Sequence, residues 1–285
     1  MGEELRACDK EGDPDMIIYF PKYTGQKYYA SHYYFLFNLL KFLNLDIDLC
    51  NPEPRVGNSF IFRIDKKRIL IDYGDHHLIA KDWQDFDIQF RFHYSEKAHG
   101  DLSGVFPLTP ISFYDWDRYK NFQNEINYTC NTNKILNNQK PGATAMERRI
   151  RIQKILKQRY HTEFDTKITD KETFWKKIND CLVSVCVPGA RNDILDRGQF
   201  QHMAFGACTI SPPLDITLPF GSQPQTGVHY LTCSPDYSDL IDVIEYCRAN
   251  RDRCQMIGQQ AKELFFSTST PDKIWKWINQ HLGKN

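Results

Sequence analysis

The chain has 285 residues, and its 36 Lys and Arg balance its 36 Asp and Glu, so the formal net charge at pH 7 is zero. A neutral chain has no overall positive field to hold it on a phosphate backbone or an anionic membrane, which argues against nucleic acid as a partner. Mean hydropathy is −0.56, and the longest apolar stretch, residues 33–45, is interrupted by Asn and Lys. It is shorter than the ~20 apolar residues of a membrane span, so we expect no transmembrane segment.

The cysteines and the N-terminus favour a cytoplasmic protein. Nine cysteines form no CxxC pair and no Cys/His ligand spacing, and several lie inside apolar runs. Such cysteines are typical of reduced thiols in a protein core. Residues 1–14 are polar and lack the apolar segment of a signal peptide.

The first half of the sequence reads as strands separated by turns. An apolar run at residues 16–20 and a short Pro- and Gly-containing turn precede an aromatic-rich helical pattern at residues 28–43, which is the opening of a β-α-β unit. Further strand-like runs lie at residues 46–50, 59–64, 68–73, 87–93 and 105–112. Two of the runs, joined by Lys66 and Lys67, predict a hairpin. We predict a Rossmann-like domain at residues 1–120.

The second half alternates strands and helices. The predicted strands are at residues 126–130, 161–166, 181–187, 208–211 and 229–233, and the predicted helices at 143–159, 170–180, 195–205, 237–248, 251–266 and 271–282. Alternation at this spacing is typical of a doubly wound parallel sheet. We predict a second Rossmann-like domain at residues 121–270. The final segment, residues 271–285, carries an amphipathic helix that should pack across the two domains.

The pattern of residues 185–211 predicts a strand, a Pro-Gly turn, a helix, a glycine and a second strand, in that order. Ligands of open α/β sheets bind outside the carboxyl ends of the strands, so the loop with Pro188, Gly189 and Arg191 should face a crevice. The free N–H groups at the start of the following helix stabilise an anion. Arg191 and Arg197 could add bidentate contacts to phosphate oxygens. The segment therefore has the parts of a diphosphate site.

The same residues also allow a plain structural interpretation. Asp193 or Asp196 could cap the helix, the Pro-Gly pair could merely turn the chain, and the arginines could be solvated. Strand–turn–helix units are frequent in α/β proteins, so spacing alone leaves both interpretations open.

The pattern Arg197-x-x-x-Gln201-x-x-Ala204-x-Gly206, followed by an apolar strand, resembles the donor-binding segment of GT-B glycosyltransferases, especially the group 1, CgeB-like and exostosin-like families. The similarity covers residues 176–282. It implies an α/β fold in which two Rossmann-like domains face a central cleft. A nucleotide-diphosphate sugar is then the donor substrate, held without metal or further cofactor. The donor contacts it implies are Pro188, Gly189, Arg191, Asp193, Arg197 and Gln201, with Asn131, Thr132 and Lys134 after the first strand of the second domain.

One position departs from the family pattern. These families usually have a glutamate that hydrogen-bonds donor hydroxyls where this chain has Gln201. An amide can still bind a hydroxyl, but it supplies no charge. The departure keeps a non-catalytic nucleotide- or sugar-binding protein as an alternative.

Candidates for the catalytic base lie at strand ends in the first half. The run Asp-Tyr-Gly-Asp-His-His at residues 72–77 follows an apolar strand and combines two carboxylates with two imidazoles. The candidates, in order, are Asp75, Asp72, His77 and His93. Capping acids in a turn, or a histidine bonded to a loop carbonyl, would explain the same residues structurally.

We therefore predict a metal-independent hexosyl- or pentosyltransferase that moves a sugar to a hydroxyl acceptor in glycan or glycoconjugate synthesis. Tyr23 and Tyr28 are the predicted acceptor contacts, because sugar rings pack on aromatic faces. A nucleotide-sugar epimerase of the same fold is the other alternative. The sequence leaves the donor, the acceptor and the oligomeric state open.

Overall fold

The computed structural model describes residues 16–25, 27–54, 58–74, 77–79, 83–109, 116–142, 145–167 and 169–283. These residues form two β-sheets flanked by helices, and two separate clusters of buried apolar side chains accompany them. Within these ranges, no helix is both long and apolar enough to cross a bilayer.

The first sheet has six strands in the order β2-β1-β3-β4-β5-β6. They are β1 (Ile18–Pro21), β2 (Ile47–Cys50), β3 (Ser59–Ile64), β4 (Lys67–Asp72), β5 (Ile88–Arg91) and β6 (Val105–Pro107). β3 is antiparallel to both of its neighbours, and the other pairs are parallel. The predicted hairpin is confirmed as β3–β4, in which Ile64 pairs with Lys67. Its turn lies one residue earlier than predicted, because Asp65 takes a left-handed conformation with φ 54°.

Three helices lie in the first part of the chain. They are α1 (Lys27–Phe42), α2 (Glu96–His99) and α3 (Trp116–Gln123). Of these, α3 buries Tyr119 and Phe122 in the core of the second sheet. Among the aromatic side chains of α1 that the structure describes, Tyr33 and Phe35 are buried and Phe37 packs against the core, whereas Tyr34 is exposed.

The second sheet has five parallel strands in the order β11-β10-β9-β7-β8. They are β7 (Ile135–Leu136), β8 (Phe164–Asp165), β9 (Val183–Val185), β10 (Thr209–Ser211) and β11 (Leu231–Thr232). All residues of the central strand β9 are buried, as expected for a strand covered on both faces. The predicted doubly wound parallel sheet is confirmed.

Five helices accompany this sheet: α4 (Met146–Arg159), α5 (Lys171–Lys176), α6 (Arg197–Ala204), α7 (Leu240–Ala249) and α8 (Arg251–Thr268). Asp170 caps α5 by accepting a hydrogen bond from the Thr173 N–H at 3.0 Å. α8 approaches the turn after α6 so closely that a Cβ on Gly258 would lie 1.9 Å from the Gly206 carbonyl oxygen. Only glycine fits at that crossing.

The predicted strand at residues 126–130 is wrong. This segment has no strand pairing, and Cys130 has a φ of 56°. Its apolar side chains still point inward alternately, and the Tyr128 hydroxyl donates to the Leu182 carbonyl at 2.5 Å. The first strand of the second sheet is instead β7, which begins several residues later.

The last helix, α9 (Pro271–Leu282), has the predicted bounds. Although it follows α8 in sequence, it buries Ile274, Ile278 and Leu282 in the core of the first sheet. Lys67 Nζ donates to the Leu282 carbonyl at 2.6 Å, and this bond fixes the end of α9 beside β4. The domain boundaries near residues 120 and 270 stay a prediction.

Candidate functional site

The carboxyl ends of strands from the two sheets meet in space. The Thr217 N–H, beyond β10, donates to the Tyr94 carbonyl, beyond β5, at 2.8 Å. The Ser95 hydroxyl donates to Asp215 Oδ1 at 2.9 Å. We call the region between these strand ends the crevice. It is where ligands of open α/β sheets bind.

The loop after β9 is held by two arginines of α4. Arg148 Nη2 donates to the carbonyls of Pro188 and Gly189 at 2.7 and 2.6 Å. Arg149 Nε donates to the Val187 carbonyl at 3.0 Å. These arginines thus fix the backbone of the loop, and Pro188 and Gly189 contribute its turn.

Amide side chains that follow β7 complete this support. Asn137 Nδ2 donates to the Val185 carbonyl at 2.8 Å, and the Val187 N–H donates to Gln139 Oε1 at 2.5 Å. Sequence reasoning missed both residues because it placed the first strand too early. The pattern Asn-Asn-Gln directly after Ile135–Leu136 was the available signal.

The N-terminus of α6 already has a cap. Asp196 accepts a hydrogen bond from the Gly198 N–H at 2.8 Å, so the capping interpretation holds for this residue. Arg149 Nη2 lies 3.4 Å from Asp196 Oδ2. Arg197, the first residue of α6, is exposed. Because a carboxylate occupies the helix end, attraction for a phosphate has to come mainly from cationic side chains.

Arg191 forms an ion pair with Asp193 on the loop. Its Nε donates to Asp193 Oδ1 at 2.8 Å, and its Nη2 contacts Oδ2. Burial acts to raise the pKa of Asp193, but the hydrogen bonds and charge of Arg191 outweigh it and lower that pKa. The Asp193 carbonyl also accepts from the Asp215 N–H at 2.7 Å, which ties this loop to the segment after β10.

His77 faces this pair from the first sheet. Ligand-type atoms of His77, Asp193 and Asp215 all lie within 4.8 Å of one another. Burial lowers the pKa of His77, Arg191 lowers it further, and the two carboxylates partly offset this. His77 is therefore a neutral imidazole at pH 7 and can accept a proton.

The same three side chains have the chemistry to ligate a metal ion. Arg191 already neutralises Asp193 and would repel a cation there. The expectation of a metal-independent site stays a prediction.

His99 holds the backbone of His77, and sequence reasoning missed it. The Ser95 N–H can only donate, and it lies 3.0 Å from His99 Nδ1. His99 Nε2 lies 3.0 Å from the His77 carbonyl. The pKa of His99 is lowered to about 4, mainly by burial and further by the charge of Arg91. A neutral His99 thus accepts at Nδ1 and donates from Nε2 to His77.

The other predicted bases lie in different settings. Asp72 is buried, forms an ion pair with Arg91 and accepts from the Gly74 N–H at 2.8 Å. With these bonds, the Asp72 carboxylate holds the end of β4. The prediction that Asp72 is a base is therefore corrected, and its role is structural. His93 follows β5 and is 7% exposed. Asp75 lies outside the described residues.

Of the two predicted acceptor contacts, Tyr23 packs into an aromatic cluster. Its ring centroid lies 5.4 Å from that of Tyr33 and 5.3 Å from that of Tyr34. It is half-buried at the end of β1. The side chain of Tyr28 lies outside the described part of the chain.

Gln201 turns away from the crevice. It is 4% exposed, and its Oε1 accepts from Lys171 Nζ at 3.1 Å and Trp175 Nε1 at 3.3 Å, both on α5. Residues two apart lie about 200° apart around a helix. Gln199 accordingly points the other way, and its Nε2 donates to the Ser211 hydroxyl at the end of β10 at 2.9 Å. The expected donor contact of Gln201 is thus corrected, and Gln199 is the amide on the sheet side.

Asn131, Thr132 and Lys134 lie at the wrong edge for a diphosphate contact. They precede β7, and Arg251 Nη1 donates to the Thr132 carbonyl at 2.6 Å. The Lys134 carbonyl accepts from the Leu182 N–H, just before β9, at 2.7 Å. Their predicted role fails because the strand before them was misplaced.

No protein-family model matches the sequence, and no curated protein matches it significantly. Among solved structures, Anabaena Alr3699/HepE in complex with UDP and glucose aligns with a TM-score of 0.53 at 10% identity, over 94% of this chain and 99% of that chain. The HepE complex with UDP-glucose aligns with a TM-score of 0.52 at the same identity and coverage. A glycosyltransferase from Rickettsia africae ESF-5 gives 0.47 at 9% identity, over 93% and 84%. The alignment with HepE confirms the predicted α/β fold with two Rossmann-like units.

Proposed function

We propose that this protein is a glycosyltransferase that moves a sugar from a nucleotide-diphosphate sugar to a hydroxyl of a glycan or another acceptor. The main support is a fold shared over nearly the whole chain with HepE, a protein whose structures contain UDP, glucose and UDP-glucose. The position of the crevice supports it independently, because exposed cations and a neutral imidazole lie at the carboxyl ends of strands from two sheets.

The donor diphosphate would lie against the loop after β9. Arg191 and Arg197 are exposed and can reach phosphate oxygens. Arg191 would leave Asp193 for the diphosphate, and exchange of an exposed ion pair costs little. As the sugar–oxygen bond to the diphosphate breaks, the arginines stabilise the negative charge that develops on the leaving group.

The acceptor hydroxyl would meet His77. The neutral imidazole takes the hydroxyl proton while the oxygen forms its bond to the anomeric carbon. Asp193 and Asp215 then stabilise the imidazolium, because a carboxylate oxygen of each lies within 4.8 Å of a ring nitrogen of His77. Asp75, the first candidate from the sequence, and His93 stay predictions.

Nucleotide release tests this function. The protein is incubated with UDP-glucose, and then with GDP- and dTDP-sugars, with and without hydroxyl acceptors such as short oligosaccharides. Release that requires an acceptor supports transfer. Isomerised donor without acceptor indicates an epimerase, and binding without turnover indicates a non-catalytic binder. Hexosyl or pentosyl specificity and the cytoplasmic location stay predictions.

A further inference from the structure

An open cavity, which we call the α8 groove, lies outside the crevice. Its volume is about 700 Å³. One wall comes from α8, and the floor comes from the segment before β7 and from the turn at Phe205 and Gly206 before β10. Because these segments precede parallel strands, the groove lies at the amino ends of the second sheet. It is therefore separate from the donor site.

The walls of the α8 groove are held in place. Gly258 of α8 and Gly206 meet without room for a Cβ, which fixes the helix against the turn. At the start of α8, Arg251 Nη1 donates to the carbonyls of Cys130 and Thr132 at 2.5 and 2.6 Å. The helix and the segments around the cavity are thus held in fixed positions, and binding sites for small ligands are usually largely pre-formed in this way.

The lining is rich in amides. Gln255 and Gln259 lie on one side of α8 four residues apart, and Glu263 continues the row, which spans about 12 Å. Gln259 Nε2 donates to Glu263 Oε1 at 3.1 Å. The Gln260 Oε1 atom is buried without a hydrogen-bond partner. Each amide both donates and accepts, which matches the hydroxyl groups of a sugar.

The charges and the apolar surface limit what the groove can hold. The lining contains two carboxylates, Asp252 and Glu263, and one ammonium group, Lys262. With this balance of charges, the groove does not favour a phosphate or another anion. Met256, which is 54% exposed, is the one large exposed apolar side chain of the lining in the part of the chain that the structure describes. Peptide grooves depend on several apolar anchors, whereas this one offers amides.

We propose that the α8 groove binds a neutral oligosaccharide at a subsite remote from the crevice. The proposal rests on the proposed glycosyl transfer, since a long glycan acceptor held at this second site would have a raised effective concentration at the crevice.

The chain offers a direct probe of the groove. It contains five methionines, so methyl NMR of ¹³C-methionine resolves Met256 in the groove and the buried Met203 as an internal reference. The ligands are maltohexaose, cellohexaose, laminarihexaose and chitohexaose, each titrated into the full chain. At least one should shift the Met256 methyl signal and leave Met203 unchanged.

A matched pair of variants completes the test. The double variant Gln255→Ala/Gln259→Ala should weaken that binding about tenfold or more, whereas Gln280→Ala, an exposed position on α9, should not. If none of the four sugars shifts Met256, whatever else binds there, or if the double variant binds equally well, the proposal is wrong. Binding of UDP-glucose and of the GDP- and dTDP-sugars is measured in the same samples. If none of these donors binds, the proposed function is contradicted, whereas donor binding that persists in the double variant shows that only the groove has lost its ligand.

Discussion

The two walls of the crevice are built in different ways. On the second sheet, side chains such as Arg148 and Gln139 bond to the backbone of the loop after β9 and fix its shape. On the first sheet, buried ionisable groups, the Asp72–Arg91 pair and His99, lie behind His77. A fixed backbone suits recognition of a large ligand, whereas a tuned imidazole suits proton transfer. Binding and chemistry should therefore be separable by mutation.

The largest effect on turnover should come from the wall of the crevice that the first sheet forms. His77→Gln removes the proposed base, so turnover should fall by about 10²- to 10⁴-fold. Affinity for the nucleotide should hardly change, because the diphosphate is bound by the other wall. The measurements are steady-state kinetics and calorimetry. Unchanged turnover in this variant would remove His77 from the mechanism.

Loss of the hydrogen bonds that support the loop after β9, on the wall formed by the second sheet, should lower the free energy of unfolding by about 1–3 kcal/mol. Arg148→Met leaves the carbonyls of Pro188 and Gly189 without their donor, and unpaired buried groups cost this much. The free energy of unfolding, from urea titration, should fall accordingly, and nucleotide affinity should fall with it. Lys154→Met, an exposed position on the same helix, is the control. Equal stability of the two variants would mean that Arg148 does not support the loop.

Arg191 connects the two walls, so its removal should alter both binding and pH dependence. Arg191→Ala should weaken nucleotide binding about tenfold, which corresponds to ~1.4 kcal/mol. Because the Arg191 charge lowers the pKa of His77, the variant should have a higher His77 pKa. The base must be neutral to accept a proton. As pH falls, the variant should therefore lose activity at a higher pH than the wild type does. A shift of the acidic limb of kcat/KM to lower pH, or none, would contradict the coupling.

The smallest effect should come from His99. His99→Phe removes the hydrogen bond to the His77 carbonyl, a contribution of about 0.5–1.5 kcal/mol. We expect kcat to fall by a few fold up to about tenfold while the donor KM stays constant, since only the base is displaced. A change in donor KM alone would show that His99 acts on the second wall instead.

The sequence predicts most of the fold because its signals are local. α9 has its predicted bounds since Pro271 begins the helix and Gly283, with φ 71°, ends it. The strand at residues 126–130 could not be rejected, because its alternating pattern is that of a strand and β7 itself has only two residues.

The site was harder to predict because it depends on which elements meet. The choice between Gln199 and Gln201 requires knowledge of which side of α6 the helix α5 covers. Asp72 reads as a base until Arg91, on the neighbouring strand, is seen to pair with it. His99 is distant from His77 in sequence, and no local pattern joins them.

Nucleotide binding tests the central claim, that the crevice holds a nucleotide-diphosphate sugar, most directly. A thermal-shift screen with UDP, GDP, dTDP and their sugars covers the usual diphosphate donors, and a ligand at 100 times its Kd stabilises the fold by about 2.7 kcal/mol. We expect at least one of them to raise the melting temperature of the wild type, and to do so less in Arg191→Ala. No shift with any of these ligands, or the same shift in the variant, would contradict this assignment of the crevice.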